Sequence, residues 1–318
     1  MPPASAGRRR LILAAGALPL VGLAGCATHS AALRAAPPVG LPRQVELART
    51  PFHPQEDYQC GPAALAMGLG AAGVDVTPEQ LARQIFVPGR QGTLQIEMLA
   101  GARRHGALAI PIPRSLDALM HETAAGNPVI VLLNLGLSWA PSWHYAVLIG
   151  YDMDEGAFLL RSGPMERQAL PFETFERTWA RGENWGFVVL PAGRLPATAE
   201  EIPTQVALIA FEKQAAPEAA ASAYRSALAR WPNNLTLAMG LGNALYRAGA
   251  LLEAESIFSA AARRHDAAAA WNNLANVLLS RQRIPEARAA AHRAVELGGP
   301  TLGAARETLQ RIETSAAH

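Results

Sequence analysis

Cysteines, aromatic residues and long apolar runs are all scarce in this sequence. It contains two cysteines and 6% aromatic residues, and its first apolar run, residues 11–23, is too short for a comfortable membrane span. Glycine-rich phosphate-binding motifs are missing. The eight histidines are too scattered for metal-ligand spacing, so we predict neither a cofactor nor a metal. Half of the 318 residues are apolar, which is enough for two domains with hydrophobic cores.

Residues 1–25 have the pattern of a targeting segment. Three arginines at positions 8–10 precede the apolar run, and Leu23-Ala24-Gly25-Cys26 follows it, as in a signal peptide with small residues at its cleavage point. These four residues resemble the lipobox of bacterial lipoproteins, which implies cleavage before Cys26 and lipidation of its thiol. Ala27 resembles the residue that directs lipoproteins to an outer membrane. We therefore expect a lipid-anchored protein of the cell envelope that faces the periplasm; an ordinary signal peptide or an uncleaved anchor is the alternative.

Cleavage at that point would change both the charge and the thiol content of the chain. Without residues 1–25 the formal net charge falls from +2 to −1, so we predict no nucleic-acid partner. Cys60 becomes the only free thiol, and it can form no internal disulfide in an oxidising compartment. Because an isolated thiol is vulnerable to oxidants there, its presence favours a working residue.

The rest of the chain divides at changes in composition. Residues 26–47 are rich in proline and small residues and are interpreted as a tether. Residues 48–191 begin with helix candidates and continue with apolar strand candidates, which predicts an α+β domain with a mostly antiparallel sheet. A short linker, residues 192–200, follows. The helix candidates are residues 77–86, 93–104 and 115–125, and the strand candidates are residues 129–135, 144–151, 157–161 and 186–190.

Residues 201–318 contain an internal repeat. The spacing of Leu241-Gly242, Leu245, Ala254, Phe258 and Ala261 recurs 33 positions later, beginning at Leu274-Ala275. This spacing resembles the tetratricopeptide repeat, which implies an all-α array of paired helices for binding a protein partner. The predicted units are residues 201–234, 235–267 and 268–301, with a capping helix after them. An unrelated alanine-rich bundle is the alternative, since the consensus tryptophan is present only as Trp271.

Cys60 is the first candidate for chemistry. Pro62 and the small apolar residues after it predict a buried helix that begins at Cys60. At a helix N-terminus the free N–H groups and the helix dipole favour the thiolate, which is the nucleophilic form. The alternative interpretation is an inert core thiol, because unpaired cysteines are often buried.

His144 is the candidate for the base that a cysteine nucleophile needs. It stands at the start of an apolar strand, in Trp143-His144-Tyr145-Ala146-Val147. A strand holds the side chain rigidly, and a position at its end leaves the ring accessible. A histidine bonded to the backbone at a strand end is the alternative.

The two blocks of sequence together resemble the bacteriocin-processing, or double-glycine, cysteine peptidases and their wider papain-like relatives. The resemblance covers roughly residues 48–191 and is carried by Gln55, Tyr58 to Leu65, and His144 to Asp152. It implies a papain-like peptidase fold, with Cys60 as the nucleophile and His144 as the general base and acid. It also implies that Gln55 and the backbone N–H of Cys60 form the oxyanion hole, with Gln59 as a weaker alternative to Gln55.

The third catalytic residue is where the sequence departs from these relatives. They carry Asp or Asn on the strand after the histidine, whereas this chain has Ser162, which can bond to the imidazole but carries no negative charge. Asp152 is too far along the strand to replace it, at about 26 Å for eight extended residues. Hairpin pairing around Asp154 would bring residues near 165 opposite His144, so Glu166 is the alternative to Ser162.

The sequence thus predicts a lipid-anchored cysteine peptidase that cleaves peptide bonds by acyl transfer, with helical repeats that recruit a protein. One alternative is a catalytically decayed module that only binds peptide or protein. Another is an amidase or acyltransferase that uses the same Cys60–His144 pair. In the last repeat, Asn272, Asn273 and Asn276 are candidates for a peptide-binding groove, with a solvated helix face as the alternative.

Overall fold

The computed structural model describes residues 28–35, 38–54, 59–90 and 92–316. In the first 190 residues the elements are α1 (Thr28–Ala35), β1 (Gln44–Glu46), α2 (Cys60–Ala71), α3 (Pro78–Ile85), β2 (Phe86–Val87), β3 (Gly92–Thr93), α4 (Gln95–Arg104), β4 (Leu108–Pro111), α5 (Leu116–Ala124), β5 (Val129–Asn134), β6 (Trp143–Asp152), β7 (Ala157–Ser162), β8 (Met165–Pro171), α6 (Phe172–Ala180) and β9 (Gly186–Leu190). The mixture of helices and sheet confirms the predicted α+β class.

A seven-stranded antiparallel sheet forms the centre of this part of the chain, and β2 and β3 pair in a separate two-stranded sheet. The strands of the larger sheet lie in the order β4-β9-β5-β6-β7-β8, and β1 pairs with the far end of β6. Both faces of β6 are buried from Tyr145 to Tyr151, which explains the continuous apolar sequence there. Tyr145, Val147 and Ile149 pack in one core with α2, while Ala146 and Leu148 lie in a second core with α5 and α6.

The segment interpreted as a tether is partly folded, so that interpretation is wrong for two stretches within residues 26–47. Residues 28–35 form α1, which buries Leu33 against the second core. Residues 44–46 form β1, which pairs with residues 150–152 of β6. The proline-rich composition predicted a tether, whereas the contacts that fold these stretches come from elements more than a hundred residues away. Composition alone cannot reveal such contacts.

Capping residues near in sequence define where several helices begin. Thr77 and Gln80 form a reciprocal capping box before α3, with Pro78 in the first turn. Ser115 caps α5 through the N–H of Ala118. The helix predicted over residues 93–104 begins later, at Gln95, because Thr93 belongs to β3.

The C-terminal region is an array of paired helices, as the fold prediction stated. Gly240 and Gly242 let neighbouring helices approach, since a Cβ at these positions would lie 2.4 Å from the Tyr224 ring and 2.5 Å from the Phe258 ring. The pairs fall within the three predicted repeat units and a last helix follows them. The helices are α7 (Glu201–Glu212), α8 (Pro217–Arg230), α9 (Leu235–Arg247), α10 (Leu251–His265), α11 (Ala268–Ser280), α12 (Ile284–Leu297) and α13 (Leu302–Ala316).

A buried carboxylate joins the two regions. Helix α7 packs against β4, and the linker before it is bound by Glu122, which is fully buried at the end of α5. Its carboxylate accepts hydrogen bonds from Thr198 N (2.7 Å), Thr198 Oγ1 (2.6 Å), Ala197 N (3.2 Å) and Asn127 Nδ2 (2.6 Å). The linker is therefore attached to the first domain through backbone and side-chain bonds.

We expect Glu122→Ala to lower the free energy of unfolding by about 2–4 kcal/mol, because it leaves several buried donors without an acceptor. Urea unfolding followed by circular dichroism measures the change. The matched control is Glu155→Ala, which removes an exposed carboxylate from the turn between β6 and β7. Equal stability of the two variants would contradict the role of Glu122 as the buried acceptor that holds the linker.

Candidate active site

Cys60 is the first residue of α2, and this helix lies at the centre of the first domain. The residues from Gly61 to Leu69 are all buried, with Pro62 in the first turn. Gly61 allows β3 to approach the helix, because a Cβ there would lie 2.6 Å from Thr93 Oγ1. Cys60 itself is partly exposed and packs against the edge of the core around α2.

The electrostatics of Cys60 differ from the expectation based on its helix position. Burial raises the pKa of the thiol, and this effect is larger than the lowering by the backbone N–H groups of Tyr145, Gly61 and Cys60 itself. The helix N-terminus does contribute in the expected direction. Desolvation outweighs it, so the resting residue is a thiol over more of the pH range than a free cysteine would be.

His144 is the second residue of β6, and Ser162 holds its ring by a hydrogen bond. Its Nε2 lies 2.9 Å from Ser162 Oγ. Burial lowers the pKa of the imidazole, so the ring is neutral at neutral pH. When Nε2–H of His144 donates its hydrogen bond to Ser162 Oγ, the lone pair of the neutral ring is on Nδ1, and this nitrogen can act as a base.

The sheet register explains why Ser162 reaches the histidine. Arg161 on β7 is opposite Val147 on β6, so Ser162 is diagonal to His144 on the same face of the sheet. Glu166 does not share this position: the chain turns after β7, and Glu166 lies on β8, where its carboxylate is 3.4 Å from Arg161 Nη1. The register argument for Glu166 failed because it extended β7 past its end at Ser162.

Arg161 connects this strand to the segment that leads to Cys60. The guanidinium is buried, and its Nη2 donates to the carbonyl oxygens of Ala48 and Thr50, both at 3.0 Å. Sequence reasoning gave this residue no role, since Ala48 and Thr50 are more than a hundred positions away in the chain. Arg161 therefore holds residues 48–50, which precede α2 in the chain, next to the strand that contains Ser162.

Cys60 and His144 line the same groove, which has a volume of about 880 Å³. Its described lining mixes polar and apolar side chains and includes a cation, Arg90, and an anion, Glu183. A groove of this size accommodates an extended segment of a peptide. The described residues that line it are Cys60, Arg90, Gly92, Thr93, Leu94, Gln95, Leu132, Pro141, Ser142, Trp143, His144, Tyr145, Gly163, Pro164, Gly182 and Glu183.

The other predicted residues occupy different positions. Gln55 lies outside the described residues, as do Cys26 and the whole of residues 1–25. Gln59 is the N-cap residue of α2 and makes no side-chain capping bond. Asp152 accepts hydrogen bonds from the N–H groups of Asp154 and Glu155 and so closes the turn after β6.

Tyr145 is a site residue that the sequence analysis did not single out, although it belongs to the block that carries the resemblance. Its hydroxyl donates to Thr93 O at 3.1 Å, which ties β6 to the opposite wall of the groove. Burial raises the pKa of the phenol, so the group remains a hydrogen-bond donor at all physiological pH values. Its backbone N–H donates a hydrogen bond to the sulfur of Cys60, which lowers the pKa of the thiol and partly offsets the effect of burial.

In the described part of the chain, no group of three or more His, Cys, Asp or Glu residues could hold a metal ion. A helix long and apolar enough to cross a bilayer is also missing from that part.

Comparison with known proteins gives matches to both regions. Residues 44–184 match the model of the Peptidase_C39 like family, and residues 207–267 and 252–300 match that of the tetratricopeptide repeat. None of the curated proteins matches the chain.

Similar solved structures also fall into these two groups. A chain described as a C39-like peptidase from Bacillus anthracis is 21% identical, with coverage of 47% of this chain and 98% of that one and a TM-score of 0.40. The double glycine motif protease of an AMS/PCAT transporter, in complex with the leader peptide, is 23% identical, with coverage of 45% and 93% and a TM-score of 0.35. The first TPR of Spaghetti (RPAP3), bound to an HSP90 peptide, is 21% identical, with coverage of 37% and 94% and a TM-score of 0.35. The two matches to family models thus give the chain a Peptidase_C39-like domain at residues 44–184 and tetratricopeptide repeats within residues 207–300.

Proposed function

We propose that the protein is a cysteine peptidase that cleaves peptide bonds by acyl transfer. The observation that carries the proposal is the groove in which Cys60, at the start of a helix, is accompanied by His144, whose ring is held by Ser162. A nucleophile, a base and a group that orients the base are the parts this chemistry requires. Residues that are more than eighty positions apart in the sequence thus meet in one site.

In the proposed reaction, the thiol of Cys60 transfers its proton to Nδ1 of His144 as the sulfur attacks the peptide carbonyl carbon. The backbone N–H of Cys60 and the side chain of Gln55 bind the oxyanion. The imidazolium then gives its proton to the leaving amine, and the acyl group stays on the sulfur as a thioester. Water attacks the thioester with His144 as the base, which releases the acid and restores the thiol.

The directions of the pKa shifts bear on how this reaction begins. A raised thiol pKa and a lowered imidazole pKa both favour the neutral pair over the thiolate–imidazolium pair. The neutral imidazole is the form that can accept a proton. Proton transfer therefore accompanies attack on the substrate, and the resting site holds little preformed thiolate.

The proposal also places the protein in the cell envelope. Lipidation of Cys26 would attach it to a membrane, with an outer membrane favoured by Ala27, and the peptidase domain would face the periplasm. The lipobox resemblance of residues 23–26 supports this part of the proposal.

The repeats are proposed to recruit the protein that the peptidase domain acts on. Polar contacts link the first helices of the second and third repeats, where Asn273 Nδ2 donates to Asn243 Oδ1 at 2.9 Å. They also link the third repeat to α13, where Arg311 Nη2 donates to Asn276 Oδ1 at 2.5 Å. Asn272 is largely buried and belongs to the packing between helices. Because Glu122 holds the linker, a bound partner would stay at a fixed position relative to the groove.

A second function, a decayed module that binds peptide without cleaving it, is favoured by one specific observation. The partner of Nε2 is the uncharged hydroxyl of Ser162, which stabilises the imidazolium that forms during the reaction less than a carboxylate would. The two functions predict different reactivity of the same thiol.

Alkylation of Cys60 by iodoacetamide tests the proposal. At pH 7 we expect the parent protein to react about tenfold or more faster than His144→Ala, because only the parent has a base for the thiol proton. The rate should climb with pH through and beyond neutrality, since the raised thiol pKa and lowered imidazole pKa leave little thiolate at lower pH. Mass spectrometry of the peptide that contains Cys60 measures both rates. Equal rates for the two proteins would favour the decayed module.

A further inference from the structure

The connection between β5 and β6 is an ordered hairpin, not a loose loop. We call residues 135–143 the apolar hairpin. Leu135 N donates to Ser142 O at 2.9 Å, and Leu137 and Ala140 exchange two backbone bonds of 3.1 Å. Asn134 Oδ1 accepts from the N–H groups of Gly136 (3.0 Å) and Ser142 (2.9 Å). These bonds fix the shape of the hairpin whether or not its side chains are covered.

The hairpin exposes large apolar side chains and carries no charge. Its sequence, Leu-Gly-Leu-Ser-Trp-Ala-Pro-Ser-Trp, contains no ionisable residue. A cluster of exposed apolar side chains of this kind marks an interaction surface. The exposed fractions are 52% for Leu135, 56% for Leu137, 82% for Trp139 and 54% for Trp143.

The N-terminal helix shows where the chain outside the structure is attached. Glu176 accepts hydrogen bonds from the N–H groups of His29 (3.3 Å) and Ser30 (3.0 Å), while Arg34 bonds to Glu173 at 2.8 Å. Helix α1 therefore runs antiparallel to α6, and its first residue, Thr28, lies toward the C-terminal end of α6. Cys26 is two residues away, which covers at most about 7 Å.

The same end of α6 carries the base of the apolar hairpin. Arg181 follows α6 directly, and its Nη2 donates to Asn134 O at 2.9 Å. From Glu176 to Arg181 the helix rises about 7.5 Å. The attachment point of the N-terminal segment and the apolar hairpin thus lie at one end of the domain.

We propose that the apolar hairpin inserts into the surface of the bilayer to which the N-terminus is anchored. The inference rests on the anchor part of the proposed function and is independent of catalysis. Tryptophan and leucine are side chains that partition into the membrane interface, and the hairpin itself contains no ionisable residue. The anchor makes this insertion intramolecular, so a small hairpin suffices. Since Trp143 also lines the groove, the active site would open at the membrane surface.

The test places a fluorophore on the hairpin. In a Cys60→Ser background, Leu137→Cys is labelled with an environment-sensitive nitrobenzoxadiazole dye, and the full chain is reconstituted with vesicles of phosphatidylethanolamine and phosphatidylglycerol. We expect a blue shift, an emission increase of about threefold, and quenching by nitroxide-labelled lipid, because the dye leaves water. The matched control is Leu252→Cys on α10, which is 69% exposed and should show none of these changes.

Equal behaviour of the dye at positions 137 and 252 would overturn the proposal. A response at position 137 to added polypeptide but not to vesicles would also overturn it, because the hairpin would then be a protein-binding surface.

A parallel series with Cys26→Ala separates the anchor from the hairpin. Loss of the anchor should raise the vesicle concentration needed for the response without removing the response at saturation. If Cys26→Ala changes nothing, the anchor proposal fails, and the vesicle titration at position 137 still decides the fate of the hairpin. Since the Cys60→Ser background has no nucleophile, failure of the peptidase proposal would leave the result unchanged.

Discussion

Replacement of Cys60 by alanine should lower the hydrolysis of a susceptible peptide about 1000-fold or more. The variant keeps the groove and the backbone donors of the oxyanion hole, but it cannot form the thioester. We expect the melting temperature to change little, because the side chain is partly exposed and alanine suits a helix. Peptide libraries with mass-spectrometric detection measure the loss.

The substrates used with Cys60→Ala also separate the peptidase from the amidase or acyltransferase alternative. Peptides and purified cell-wall fragments should be incubated with the parent protein and the variant in parallel. Cleavage of peptides by the parent alone supports the proposal, whereas Cys60-dependent cleavage of cell-wall fragments alone supports an amidase. Undiminished cleavage by the variant would show that Cys60 is not the nucleophile.

Sequence reasoning worked best where the signal is local. The capping residues Thr77 and Ser115 define helix starts through bonds three residues away, and the apolar run of β6 reflects burial on both faces. The repeats were found because each unit packs against its neighbours with the same spacing. These features depend on contacts close in the chain or on patterns that recur.

The features that sequence reasoning missed depend on distant contacts. Strand β8 has mostly exposed side chains, so its sequence lacks an apolar pattern, and its pairing with β7 defines it. Strand β1 has three residues and exists because β6 extends beyond β5. Helix α6 does have apolar residues at helical spacing, and this signal was available but unused. The tether interpretation was wrong for residues 28–35 because a distant contact also defines α1: Ser30 N donates to Glu176, far along the chain.

The candidate site shows the same division. The positions of Cys60 and His144 followed from their neighbours in sequence, and the fold brings both to one groove. The raised pKa of the thiol did not follow from the helix position, because desolvation depends on what packs around Cys60. The choice between Ser162 and Glu166 needed the point at which β7 ends, which only the paired strands reveal.

The uncharged partner of His144 leads to the second large expected effect: Ser162→Asp should raise kcat/KM at pH 7 about tenfold. A hydrogen bond to a charged group contributes about 1.4 kcal/mol more than a neutral one, and this difference corresponds to about tenfold. The carboxylate would stabilise the imidazolium that forms when Cys60 gives up its proton. Turnover of a peptide cleaved by the parent measures the gain, and His144 proton resonances show the rise in the imidazole pKa.

The pH profile of Ser162→Asp has a definite sign. A carboxylate beside Nε2 stabilises the imidazolium and raises its pKa, so both limbs of kcat/KM should move to higher pH. The acidic limb moves because neutral His144 is needed as the base, and the alkaline limb moves because the pair keeps its shared proton to higher pH. The matched control is Ser162→Asn, which has nearly the size of Asp but no charge and should stay close to the parent. Ser162→Ala removes the bond to Nε2 and should be slower than the parent. If Asp is no faster than Asn at this position, the missing charge does not limit the reaction, and the site is limited instead by the burial that holds Cys60 and His144 neutral.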